Sequence, residues 1–164
     1  MADSEDEIIT RANDCIDLCE LTEFSVAFPT ALQDVVGKME IVRDHLGDGI
    51  GNDEVISLEV EVETDLEGLL AALKQASKPN PEGQSGECMG CKGNLNKLLA
   101  ELKMVRQMET SLQIQTRRID DAVGARKITE DQKEERFAPL ISRQEQVLEA
   151  TTKIADTYGG TQQQ

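Results

Sequence analysis

The sequence predicts an all-α fold, an elongated antiparallel bundle of four main helices with coiled-coil seams. Two observations support this class. Apolar residues recur at alternating steps of four and three, as in the series Leu32, Val35, Met39, Val42 and Leu46. Aromatic residues make up only 2% of the 164 residues, which suits helices that each bury a narrow stripe. We therefore expect one bundle domain over residues 1–160 and a disordered polar tail over 161–164.

The first helix is expected to begin near residue 5, because Ser4 and Glu7 have the spacing of a capping box. Proline lacks the backbone N–H that a helix interior requires, so Pro29 is predicted to kink or restart this helix. Three glycines within residues 47–52 tolerate positive φ and are expected to end it.

The second helix is expected to run from Asp53 to Ser77, although its beginning admits two interpretations. Within residues 55–63, apolar and polar residues alternate, which is typical of a strand. Helix is favoured because helical spacing continues as far as Leu73 and the chain offers no second strand for pairing. Residues 78–86 are rich in Pro and Gly and are expected to form a loop.

The third and fourth helices are predicted by their spacing and by their end signals. The third runs from about Asn94 to Val123 and is ended by Gly124. Thr129 and Gln132 form a capping box that opens the fourth, which extends to Tyr158. Two apolar rows of the fourth helix repeat every seven residues: Leu140, Val147 and Ile154, and Ile141, Leu148 and Ala155. Such strict spacing indicates packing against partner helices, so a coiled-coil homodimer is also expected.

The net charge of −15 is concentrated in the first half of the chain. Residues 1–78 hold 19 acids and 5 bases, a net of −14, whereas residues 92–127 hold 8 bases and 4 acids, a net of +4. We expect the acidic half to pack beside the basic third helix, although surface acids that simply aid solubility give the same pattern. An acidic total argues against nucleic acid and anionic membranes as partners.

The location of the protein is expected to be cytoplasmic. No apolar run approaches the roughly 20 residues that span a bilayer, so direct membrane insertion is not expected. The first seven residues are acidic, whereas a secretory signal begins with basic and then apolar residues. A chain excised from a longer protein would look the same, and an envelope-associated location would then remain open.

Four cysteines form two pairs that we predict as metal ligands: Cys15, Cys19, Cys88 and Cys91. Four thiolates suit tetrahedral zinc, and the glycines around the Cys-x-x-Cys pair resemble a zinc knuckle. The second helix is about 37 Å long, so an antiparallel return brings the loop that follows it close to the first pair. Disulfides, with one cysteine of each pair bridged to the other pair, and free thiols remain open alternatives.

No catalytic constellation stands out in the sequence. It contains neither the phosphate-binding loop G-x-x-x-x-G-K-[ST] nor the nucleophile elbow G-x-S-x-G. A single histidine, His45, rules out the two Glu-x-x-His motifs of a di-metal carboxylate site. Arg117 and Arg118 are expected to pair with the acidic helices, with an anionic partner as the alternative. Phe24 and Phe28, one helical turn apart, are expected in the core, since an exposed pair would form a docking patch.

One segment carries a family resemblance. The run L-L-A-E-L-K-M-V-R-Q-M over residues 98–108, followed by Thr116, Arg117 and Arg118, resembles a segment of uncharacterised helical proteins of planctomycete-type bacteria. The resemblance covers about residues 85–125. It implies a helical coiled-coil scaffold, often envelope-associated, and no activity. The chain departs from that pattern by its cysteines, and its sequence leads us to expect no signal or membrane anchor.

Together these observations favour a non-enzymatic interaction or scaffold protein with a structural four-cysteine zinc site at one end. Its partner is expected to be a protein, or a second copy bound through helical seams. The alternative is a thiol redox-sensing or metal-handling protein. A third class is an enzyme subunit whose site forms only at an oligomer interface.

Overall fold

The computed structural model describes residues 2–78 and 89–159, with side chains from residue 4 onward in the first segment and from residue 95 onward in the second. These two segments contain no strand and form five helices: α1 (Ala2–Thr22), α2 (Ala27–Gly47), α3 (Asp53–Ala76), α4 (Met89–Gly124) and α5 (Glu130–Gly159). The all-α class is confirmed, and residues 55–63 are helical. Most of the loop predicted over 78–86 and the tail over 161–164 lie outside the described residues.

The helix count is five instead of four because the predicted first helix is divided upstream of Pro29. Glu23 adopts a left-handed backbone conformation, with a φ of 48°, and residues 23–26 connect α1 to α2. Pro29 lies in the first turn of α2, where a backbone N–H has no partner within the helix, so no kink is required there. Of the two predicted outcomes, the kink is wrong, whereas the restart agrees with the structure, because a new helix begins at Ala27 and carries Pro29 in its first turn. The predicted helix beginning near residue 5 was also too late, since α1 begins at Ala2.

Helix ends set by nearby residues agree with the sequence. Asn52 caps α3 by accepting hydrogen bonds from Glu54 N and Val55 N, both at 3.1 Å. Thr129 and Gln132 form the predicted capping box of α5, at 3.0 and 3.3 Å. The third predicted helix ends at Gly124 as expected, but it begins at Met89 and not near residue 94.

Helix α2 is the centre of the fold, because it packs against each of the other four helices, whereas α1 packs against α2 alone among the described helices. Hydrogen bonds join Ala27 of α2 to Glu101 of α4, and Lys38 of α2 to Ser111 of α4, so these two helices run in the same direction. The core between the helices is apolar, with Val35, Val42 and Met104 at most 2% exposed.

Helix α5 presents its two heptad rows to different surroundings. Leu140, Val147 and Ile154 are buried against the core, whereas Ile141 and Leu148 are 60% and 64% exposed. The first row is thus an internal packing face, and the second faces solvent. Pro139 lies inside α5 beside these rows and is exposed.

The two phenylalanines near the start of α2 have different surroundings. Phe28 belongs to the core as predicted, but Phe24 is 41% exposed and lies in the connection between α1 and α2. The ammonium of Lys97 lies 5.7 Å from the centre of the Phe24 ring, a cation–π distance. No helix within the described segments combines the length and the apolar character needed to cross a membrane.

Candidate functional site

The cysteine pair of α1 lies at one end of the fold. Cys15 is exposed, and Cys19, one turn later, is partly buried. Cys91 falls in the first turns of α4, where side chains are not described, and Cys88 lies outside the described residues. The structure therefore describes one of the two predicted pairs, and the meeting of all four sulfurs remains a prediction.

A cleft of about 610 Å³ relates the α1 pair to the beginning of α4. Cys19 and Lys97 both line this cleft. Cys91 precedes Lys97 by six residues, which corresponds to about 9 Å along a helix. The end of α1 and the beginning of α4 therefore share one end of the bundle. His45 lies in the last turn of α2, far along that helix from its start at Ala27.

The environment of Cys19 disfavours its thiolate. Partial burial raises the pKa of the Cys19 thiol, and the neighbouring Cys15 raises it further. A raised pKa lowers the thiolate fraction on which thiol reactivity depends. Within residues 4–78 and 95–159, no three His, Cys, Asp or Glu side chains are grouped so that they could hold a metal ion.

The beginning of α2 is capped by a carboxylate from α4. Glu101 is 1% exposed and accepts hydrogen bonds from Ala27 N at 2.8 Å, Val26 N at 3.0 Å and Ser25 Oγ at 3.0 Å. Phe28 N in turn donates to Ser25 Oγ at 3.1 Å. The first N–H groups of a helix have no partner within it, and its N-terminus favours negative charge. Glu101 satisfies both requirements from a helix distant in sequence.

A second buried polar cluster, the Lys38 network, lies about three helical turns beyond the start of α2. Lys38 is 4% exposed, and its Nζ lies 2.5 Å from Asp65 Oδ2 of α3 and 3.2 Å from Asp34 Oδ2 of α2. The same nitrogen donates to Ser111 Oγ of α4 at 2.8 Å. Three helices therefore share one ammonium group.

Arg143 extends the Lys38 network to α5. It forms an ion pair with Asp34 and donates to Gln115 Oε1 of α4 at 2.6 Å. With Lys38 and Asp65, the network contains two positive and two negative side chains, so its formal charge is zero. Replacing both members of a buried ion pair by apolar residues is often neutral for stability, whereas removing one member alone is strongly destabilising.

Gln107 of α4 completes the network from the α3 side. Its Nε2 donates to Asp65 O at 2.7 Å and to Asp65 Oδ1 at 3.1 Å. Gly68 makes this approach possible, because a Cβ at that position would lie 2.6 Å from Gln107 Cδ. A side chain at Gly68 would therefore displace the amide end of Gln107 from Asp65.

Sequence reasoning did not identify Glu101 or Lys38 as buried groups. The sequence around each of these two residues is typical of any amphipathic helix. Their burial becomes apparent only in the structure, where residues from other helices surround them. For the arginine pair the prediction was partly confirmed: Arg118 pairs with Glu61 of the acidic α3. Arg117 lines an open polar cleft together with Arg106.

Comparison with known proteins gives no relative from which a role could be carried over. No protein-family model matches this chain, and neither a curated protein nor a solved structure matches it.

Proposed function

We propose that this chain is a non-enzymatic interaction protein, an elongated helical scaffold that offers apolar helix faces to protein partners. The observation that carries the proposal is the contrast between its interior and its surface. The interior is filled by apolar side chains and its helices are joined by the Lys38 network, yet large apolar side chains remain outside, with Leu21 84% and Leu148 64% exposed. Exposed apolar faces of this kind commonly mark protein interaction sites.

The solvent-facing row of α5 supports self-association through a coiled-coil seam. Ile141 and Leu148 are seven residues apart, the repeat that two supercoiled helices share. In a homodimer, a two-fold axis would place this row opposite the same row of the second copy. Each copy would then cover the exposed row of the other.

We further propose a structural zinc held by Cys15, Cys19, Cys88 and Cys91, in a protein of the cytoplasm. Support comes from the shared cleft of Cys19 and Lys97, which brings the helix that carries Cys91 to the end of the fold where Cys19 lies. Zinc binds thiolates and would overcome the raised pKa of Cys19 by displacing its proton. The redox-sensing alternative has less support, because the same raised pKa disfavours a reactive thiolate.

The interaction proposal is tested by photo-crosslinking in the cells that produce the protein. A photoreactive amino acid is placed at Leu148 or at the control position Ser142, which is exposed on the same helix about 120° around its axis. Crosslinks to a second copy or to another protein are expected at Leu148 and not at Ser142. Equal crosslinking at both positions, or none at Leu148, Ile141 and Leu21, would refute the proposal.

The zinc proposal is tested by the metal content of protein purified without chelator. One zinc per chain is expected, with loss of both metal and thermal stability in Cys88→Ser and Cys15→Ser. His45→Ala is the matched control and should retain its zinc. Metal-free protein whose melting temperature does not change in Cys88→Ser would overturn the zinc site.

A further inference from the structure

A groove of about 380 Å³ runs along α2 between α1 and α3, which do not pack against each other within the described segments. Six apolar side chains line it: Ile8, Met39, Val42, Val62, Leu66 and Leu70. Met39 and Val42 are buried and form its floor, whereas Ile8, Leu66 and Leu70 are 45%, 38% and 51% exposed. The groove therefore offers an apolar surface that the protein's own described helices leave uncovered.

The rim of the groove is acidic on both sides. Glu5 borders it on α1, and Glu59, Glu63 and Glu67 border it on α3. No lysine or arginine is found among the described side chains that line it. The three α3 glutamates are spaced four apart, so they lie on one face, where like charges repel one another. A positively charged occupant would relieve that repulsion.

The length of the groove fits a short helix. Glu59 and Leu70 are separated by 11 residues, which corresponds to about 16 Å, or three helical turns. An amphipathic helix binds such a groove through apolar anchors at spacings of three, four and seven residues. Lys or Arg residues that flank those anchors would then lie beside the glutamates of the rim.

We propose that this groove binds an amphipathic helix of about three turns from a partner protein, with lysines or arginines flanking its apolar face. The proposal rests on the interaction function and specifies the chemistry of one partner. The basic α4 of a second copy is the less favoured occupant. An α4-in-groove contact joins two different surfaces, so it would propagate into open polymers unless it closed into a ring.

The test uses a fluorescent synthetic helix of leucines and lysines, roughly four turns long, and measures its anisotropy against the full-length protein. The control peptide has the same composition in an order that destroys the amphipathic spacing. Two variants remove the recognition elements: Leu66→Ser/Leu70→Ser acts on the apolar surface and Glu63→Lys/Glu67→Lys on the rim. Glu134→Lys/Glu135→Lys on the exposed face of α5 makes the same change in net charge elsewhere.

The amphipathic peptide should bind, and each groove variant should weaken it by about tenfold or more. The α5 variant should bind within about twofold of wild type, because a rim contact acts locally. A peptide with glutamate in place of lysine should recover binding to Glu63→Lys/Glu67→Lys.

Equal binding of the two peptides, or equal losses in the rim and α5 variants, would overturn the groove proposal and leave only attraction to net charge. Polymers in light scattering that disappear in Leu66→Ser/Leu70→Ser would assign the groove to a second copy, which also overturns it. Crosslinking at Leu148 that persists while the peptide fails would leave the interaction function intact. Peptide binding without crosslinking at Leu148 would instead exclude the α5 face as an interaction site and support the groove.

Discussion

Glu101 and Lys38 are both charged side chains that the fold buries almost completely, at 1% and 4% exposure, yet their surroundings differ. Glu101 accepts hydrogen bonds from two backbone N–H groups and a hydroxyl, all within residues 25–27. Lys38 is surrounded by two carboxylates and a hydroxyl from three helices. The first site completes one helix end, whereas the second joins separate helices to one another.

The difference shows two ways to bury a charge. At Glu101, neutral donors and the helix N-terminus stabilise the carboxylate. At Lys38, opposite charges are required, because an isolated ammonium is costly to remove from water. Removing one partner should therefore lower the free energy of unfolding more in the Lys38 network than at the Glu101 cap.

The largest effect is expected for Lys38→Met. The change leaves Asp65 buried without its cation, and removal of one member of a buried pair costs roughly 3–5 kcal/mol. Urea unfolding measures the free energy change. The double variant Lys38→Met/Asp65→Leu should recover much of the loss, since it removes both charges together. A single-variant loss below about 1 kcal/mol would show that the network is not required for stability.

A smaller loss is expected for Glu101→Ala. It removes the acceptor from Ser25, Val26 and Ala27, and loss of the cap at a helix N-terminus costs about 0.5–2 kcal/mol. The same unfolding experiment measures it. Lys103→Ala, at an exposed position of the same helix, is the control and should remain within about 0.5 kcal/mol of wild type. Equal losses in the two variants would contradict the capping role.

Substitution of Gly68 by alanine should not give the stabilisation that this change usually gives within a helix. Glycine to alanine within a helix normally stabilises by about 0.5–1 kcal/mol, which is the expectation for Gly37→Ala, where a Cβ meets nothing within 4 Å. At Gly68 the new Cβ would displace the Gln107 amide from Asp65, so Gly68→Ala should fall about 1–2 kcal/mol below Gly37→Ala in stability. Equal stabilisation by both substitutions would refute the close approach.

The smallest effect concerns Tyr158, the only tyrosine in a chain without tryptophan. Partial burial raises the pKa of the Tyr158 hydroxyl above 10.0, and the Glu101 carboxylate raises it further. The protonated form is thus favoured by folding, so this contribution to stability is present below pH 10.0 and is lost as the pH rises through the raised pKa. Glu101→Gln should lower the pKa measured by tyrosinate absorbance, whereas Glu109→Gln should leave it unchanged.

The features that could be predicted from the sequence are those that depend on residues close to one another in the chain. The cap at Thr129, the end at Gly124 and the helical class each depend on residues within one or two turns. A restart near Pro29 was predicted, but its position upstream at residues 23–26 was not, and the carboxylate that caps the new helix, Glu101, is 74 residues from Ala27. Pro29 is visible in the sequence, but the distant carboxylate that caps this helix is not.

The burial of the charged side chain of Lys38 could not be predicted from the sequence either. Lys38 lies between Val36 and Met39, and nothing in this local pattern distinguishes a buried lysine from an exposed one. Periodicity likewise predicted both rows of α5 but could not tell that Leu140 faces the core and Ile141 faces solvent. For the cysteines, spacing predicted a pair on one helix, which the structure confirms for Cys15 and Cys19 in α1.

Helix α1 has one neighbour in the described fold, while α2 has four. A helix held on a single side can detach at a lower free energy than global unfolding requires, and its amide protons then exchange with solvent through that local opening. The groove exists only while α1 is docked, because α1 supplies one of its walls. A ligand in the groove would therefore slow hydrogen exchange throughout Ala2–Thr22, including residues that it never touches.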